Sequence, residues 1–135
     1  MLQPLANYAR SKNTNIKTTI HIWPVFAPEP LYGNRLDLDF CGQTAAWYVL
    51  WPKEKIAEYA RTICLEAKKY HRRQEGVGMI GYYDRPGEFP IKTTARVDME
   101  LTTMIENGCS RIQVCGTAHV INNKQVAEVF KKHFK

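Results

Sequence analysis

Apolar and polar positions along the chain fall into blocks of two kinds, one repeating every second residue and one every third or fourth. From 16 to 23 the alternation is clean: Ile16, Thr18, Ile20 and Ile22 share one side, and Lys17, Thr19, His21 and Trp23 the other. Successive strand side chains point to opposite faces, so this block predicts a strand with one buried face. Pro24, Pro28 and Pro30 then predict a loop over 24–34, with Gly33-Asn34 turning the chain. Leu36, Leu38 and Phe40 alternate with Arg35, Asp37 and Asp39, which predicts a second strand ended by Gly42. Residues 45–51 are apolar on both sides, as suits a central strand covered on two faces. Short strands in succession predict an antiparallel meander.

The helical period begins at Pro52. Ile56, Tyr59, Ala60, Ile63, Cys64, Ala67 and Tyr70 recur at three- and four-residue steps, with Gly76 as the expected stop. Residues 77–83 read as a strand, and Asp84-Arg85-Pro86-Gly87 as a turn opening a loop that runs to Thr93. Thr93 or Thr94 is placed to cap a helix carrying Val97, Leu101, Met104 and Ile105, and Asn107-Gly108 to end it. A strand over 110–115, a loop over 116–119 and a last helix capped by Asn122 or Asn123 complete the chain.

The expected fold class is therefore α+β. It comprises an N-terminal tail or short extra element over 1–15 and one domain over 16–135. That domain holds a mixed sheet of about five strands, an antiparallel N-terminal meander, a C-terminal strand-helix-strand unit over 77–115, and three helices packed on the sheet. The connection inside that unit is long enough for parallel pairing. The direction of pairing between 77–83 and 110–115 stays open.

Composition adds constraints. With 135 residues, 44% hydrophobic and 24% charged, the chain has the make-up of an ordinary globular domain. The longest apolar run, 45–51, is far short of the roughly 18 residues that span a bilayer. The first ten residues lack a basic start followed by an apolar stretch. A cytoplasmic protein without a membrane partner is expected. Cys41, Cys64, Cys109 and Cys115 form no close pair, so reduced thiols are the expectation. Cys109, Cys115 and His119 lack a standard zinc spacing, and no metal is expected. Neither a G-x-G-x-x-G nor a Walker pattern is present, and no cofactor is expected.

Nineteen Lys and Arg against thirteen Asp and Glu leave a formal charge of +6, which favours anionic partners. If 77–83 and 110–115 pair in parallel, the loops 84–94 and 115–122 meet beyond the strands' carboxyl ends, where ligands of such sheets usually bind. Arg85, Lys92 and Arg96 would bring charge there, Thr93, Thr94 and Thr117 hydroxyls, and Gly116 backbone room. This predicts an anionic, phosphate-bearing, nucleotide-like small ligand. The competing reading makes the threonines and Asn122 caps and nothing else.

An enzyme using the same pocket would employ His119 as acid or base, with Cys115 as nucleophile and Asp84 assisting. A buried, inert Cys115 at a strand end is the simpler alternative. The outward group Lys17, His21, Arg35, Asp37 and Asp39 would bring two carboxylates near a histidine if the first two strands pair. The basic runs Lys68, Lys69, His71, Arg72, Arg73 and Lys131, Lys132, His133, Lys135 suggest a third class, a module for nucleic acid or an acidic protein. Trp23, Trp47, Trp51 and Tyr82-Tyr83 leave apolar area for a symmetric homodimer.

Overall fold

A computed structural model describes residues 2–22 and 35–134. The loop expected over 24–34, together with Trp23 and Lys135, lies outside them. The order is α1 (Leu2–Lys12), β1 (Thr19–Ile22), β2 (Phe40–Ala46), α2 (Lys53–Ala67), β3 (Glu75–Gly81), α3 (Thr94–Glu106), β4 (Arg111–Cys115), α4 (Thr117–Asn122) and α5 (Lys124–His133). Strands β1 to β4 lie side by side in chain order, every pair parallel. The sheet curls into half a barrel.

This corrects the expected fold. The antiparallel meander and the fifth strand are absent among the described residues, and there are five helices where three were expected. The alternation at 35–40 misled because it belongs to the approach to β2 and only its last residue joins the ladder. Leu36 and Leu38 instead line a cavity of about 410 Å³ together with Leu2, Leu5 and Ala6 of α1. Gly42 sits mid-strand, and the apolar block 45–51 straddles the end of β2. Of the N-terminal segment, Leu2–Lys12 forms helix α1. Arg10 on it donates to the Asp37 carbonyl at 2.8 Å and to Thr18 Oγ1 at 2.9 Å. The loop expected at 116–119 opens helix α4.

Strand register assigns the two faces. Cys41, Ala45, Gly76, Gly78 and Ile80 turn toward the helices and meet Ile56, Ala60, Ile63, Leu101 and Met104 in the main core. Burying such aliphatic side chains supplies most of the drive to fold. Gly76, expected to stop a helix, lies in β3 instead, because α2 crosses it closely: a Cβ there would stand 2.6 Å from the Ile63 carbonyl oxygen. Thr19, His21, Phe40, Thr44, Val77, Met79, Arg111 and Gln113 occupy the concave face. No helix among the described residues is long and apolar enough to cross a membrane.

Candidate functional site

Because β3 and β4 run parallel in the register Gly81↔Cys115, the segments that leave them emerge on the same side. The ladder extends one step further, with the Tyr82 amide donating to the Cys115 carbonyl at 3.0 Å. Gly116 then turns the chain into α4 at φ +81, and a Cβ there would lie 2.1 Å from the Tyr82 carbonyl oxygen. Only glycine fits that turn. The tightness brings the start of α4 over the residues that follow β3. Asp84 and His119 meet as a result, Asp84 Oδ1 against His119 Nδ1. Their side chains are 28% and 18% exposed, half-sheltered yet open to solvent.

A carboxylate has no proton to donate, so the contact places the proton on Nδ1 and leaves Nε2 as the nitrogen that can exchange one with a ligand. The Tyr83 ring lies 4.5 Å from the imidazole, tilted by 54°. Phe89 crosses Tyr83 edge-on at 5.7 Å and stacks on Tyr48 at 4.7 Å, and Trp47 follows at 4.6 Å from Tyr48. A continuous aromatic wall thus runs from His119 across the carboxyl ends of β4, β3 and β2. Tyr48 lies over Gly81, where a Cβ would stand 3.0 Å from its ring. Burial, followed by the neighbouring Cys115 and Tyr83, pushes the Tyr48 phenol up to about 12, so it keeps its proton at ordinary pH. Tyr82 beneath is fully buried, its phenol raised by burial, and its oxygen accepts from Asn123 at 2.9 Å.

The residues expected at this site therefore divide. Asp84, His119 and Cys115 gather at one end of the sheet, Cys115 beside Tyr48. Arg85 follows Asp84 on the surface. Lys92 turns inward to Glu100 at 2.7 Å and to the carbonyls of Ala46 and Trp47. Arg96 reaches Glu100 at 2.6 Å and the Trp51 carbonyl. These two cations tie α3 to the chain after β2. Thr93 caps α3 by accepting from the Arg96 amide at 3.1 Å, Thr94 is its first residue, and Thr117 donates to the Val114 carbonyl at 3.3 Å. Asn123, not Asn122, caps α5. The aromatic wall escaped the sequence reading. Phe89 inside the loop 84–94 was the available signal, whereas Tyr48 depends on β2 being the neighbour of β3.

In the other candidate clusters the carboxylates are met by cations. Asp39 accepts from the Thr18 amide and hydroxyl at 2.8 and 2.9 Å and pairs with Arg10, Lys17 and Arg73. Asp37 pairs with Arg73, while His21 sits elsewhere, 3.5 Å from Thr44. At the C-terminus Lys132 and His133 share Asp98, and Lys131 pairs with Glu128. Among the described residues no group of three His, Cys, Asp or Glu is placed to hold a metal.

No family model and no characterised protein matches the sequence. The fold does have a solved counterpart, a monoclinic crystal structure of bee venom hyaluronidase, at a TM-score of 0.55 and 11% identity. The match covers 98% of this chain and 49% of that one, so this chain spans about half the length of its structural neighbour. A second structure of bee venom hyaluronidase, in complex with a hyaluronic acid tetramer, aligns over 71% of this chain at 14% identity and a TM-score of 0.44. At 11% identity the first likeness is one of fold alone.

Proposed function

We propose that the carboxyl end of the sheet is an acid–base site, with His119 transferring a proton to or from a small ligand seated against the aromatic wall. The Asp84–His119 contact carries this reading. A carboxylate that holds one imidazole nitrogen fixes the ring's orientation and tautomer and steadies the imidazolium when it forms. Tyr83 and Phe89 offer ring faces to an apolar or ring-bearing part of the ligand. Tyr48 offers a hydroxyl that stays protonated.

The ligand class is narrower than charge alone suggests. Lys92 and Arg96 are engaged with Glu100, so Arg85 remains the cation best placed to meet an anionic group. A ligand with one ring and one acidic group suits this arrangement better than a triphosphate. Nucleoside monophosphates, sugar phosphates and sugar acids are the classes to try. The name of the structural neighbour adds hyaluronic acid fragments to the same trial.

Thermal unfolding of the full chain against that panel tests the proposal. A ligand at 100 times its dissociation constant adds about 2.7 kcal/mol of stability. The shift is expected in the parent protein and is expected to vanish in His119→Ala and weaken in Arg85→Ala, both with unchanged melting in the absence of ligand. A shift that persists in both variants would refute the site.

A further inference from the structure

Outside that site, Cys64 on α2 and Cys109 in the link from α3 to β4 bring their sulfurs to 3.6 Å across a sequence separation of 45 residues. A disulfide bond is about 2.0 Å long, so the two atoms need to approach by roughly 1.5 Å. Cys109 is buried at 2% exposure against Gly78, where a Cβ would come within 3.0 Å of its sulfur. Cys64 is half-buried and opens on a surface groove of about 390 Å³ whose rim carries Arg61, Lys68 and Asn107. Gly108, at φ +103, leaves the approach clear, since a Cβ there would stand 3.5 Å from Cys64.

We propose that Cys64 and Cys109 are a redox-active dithiol, oxidised to an intramolecular disulfide by a small anionic disulfide such as oxidised glutathione entering through this groove. In the first step the Cys64 thiolate attacks one sulfur of the small disulfide. The S–S bond of the reagent breaks, and its other half leaves as a thiolate that takes a proton from solvent. In the second step the Cys109 sulfur, giving up its proton to solvent, attacks the Cys64 sulfur of the mixed disulfide and expels the second half of the reagent. Two protein thiols lose two electrons and two protons, and the reagent gains them as two thiols.

The geometry makes the roles unequal. The two sulfurs share a hydrogen bond in which either thiol can donate, and this contact, aided by the charge of Lys68, lowers the Cys64 pKa against the effect of burial. The same contact and burial raise that of Cys109. The exposed partner is therefore the better thiolate and the attacking one, and the buried partner resolves the adduct. Arg61 and Lys68 at the rim suit a reagent carrying carboxylates. Cys41 provides an internal control: it is fully buried, and burial pushes its thiol up to about 11.

Incubating the reduced 135-residue chain with excess oxidised glutathione, alkylating the remaining thiols and mapping peptides by mass spectrometry tests this. The expected result is a cross-linked peptide joining Cys64 to Cys109, with Cys41 still free. Melting should rise by several degrees, reversibly with dithiothreitol, because the link closes a long loop. Cys109→Ser should stop at a glutathione adduct on Cys64, and Cys64→Ser should give neither product. If Cys109→Ser does not fold, Cys64→Ser and the mapping of the unaltered chain still decide the matter. Full alkylation of both thiols after incubation, or oxidation that runs through Cys115 instead, would overturn the proposal.

Discussion

Glu100 holds Lys92 at 2.7 Å with 0% and 1% of the two side chains exposed, so this ion pair is wholly enclosed between α3 and the chain after β2. Burial pulls the Lys92 ammonium below its ordinary pKa and Glu100 pushes it back up. Removing one partner of a buried pair typically costs 3–5 kcal/mol, because the other is left charged and desolvated. The two partners are not equivalent, since Glu100 is also met by Arg96 at 2.6 Å. Glu100→Leu should therefore cost about 3–5 kcal/mol. Lys92→Met, which leaves Glu100 its arginine, should cost less, about 1–3 kcal/mol. Urea unfolding of the two variants measures the order, and a larger loss in Lys92→Met would show that Arg96 does not compensate.

The Asp84–His119 contact makes a spectroscopic prediction independent of any ligand. In the neutral imidazole, the proton should reside on Nδ1, and nitrogen NMR of the labelled protein should show Nε2 as the bare nitrogen. Free imidazole side chains favour the opposite tautomer. Asp84→Asn should move the population toward that opposite form while changing the unfolding free energy by no more than about 0.5 kcal/mol, the usual range for surface substitutions. An Nε2-protonated ring in the parent protein would remove the orienting role assigned to Asp84.

Acid should unfold the protein partly through Asp39. Burial raises its pKa, but the Thr18 amide and hydroxyl and Arg10 outweigh burial and bring it from 3.8 down to about 2. The folded state thus holds this proton less tightly than the unfolded chain. The resulting stability is complete above 3.8 and is lost as pH falls through about 2. Its size is on the order of 2 kcal/mol. Asp39→Asn should lower stability at neutral pH by that order and flatten the acid limb between those two values. An unchanged slope of stability against pH there would count against the assignment.

Gly76 should tolerate no side chain. A Cβ would meet backbone atoms of Ile63 and Cys64 at 2.6 and 2.7 Å, and backbone cannot swing aside as a side-chain end can. Gly76→Ala should force β3 from α2 and cost about 1–3 kcal/mol or more. Gly42→Ala on the same sheet meets its nearest neighbour, the Ile20 carbonyl oxygen, at 3.4 Å and should cost clearly less. Equal losses at the two positions would mean that the close helix–strand approach is not what distinguishes them.

Local pattern carried the C-terminal half well. Of the expected stripe, Val97, Leu101 and Met104 are buried in α3 while Ile105 stays exposed; Thr93 is the cap, and Ile112 and Val114 lie on β4, because these signals act between residues a few positions apart. The site was legible to the extent that Asp84 and His119 stand in the two segments leaving β3 and β4. Their contact was not, since they are 35 residues apart and meet only because Gly116 folds the chain against Tyr82. The charges of Lys92 and Arg96 were legible, their burial against Glu100 was not: a sequence shows a cation but not which way it turns.

By itself the sequence determined where apolar surface demands cover, where the chain caps and turns, and which residues could carry chemistry. Only the tertiary structure decided that β1 and β2 run parallel, that Leu36 and Leu38 lie by α1 and off the ladder, and that Tyr48 reaches the Asp84–His119 end. Strand direction is set by the path of the connection and not by the alternation within a strand. An alternating segment buries the same face whether its neighbour runs up or down, so the choice falls to the packing of helices over the whole sheet.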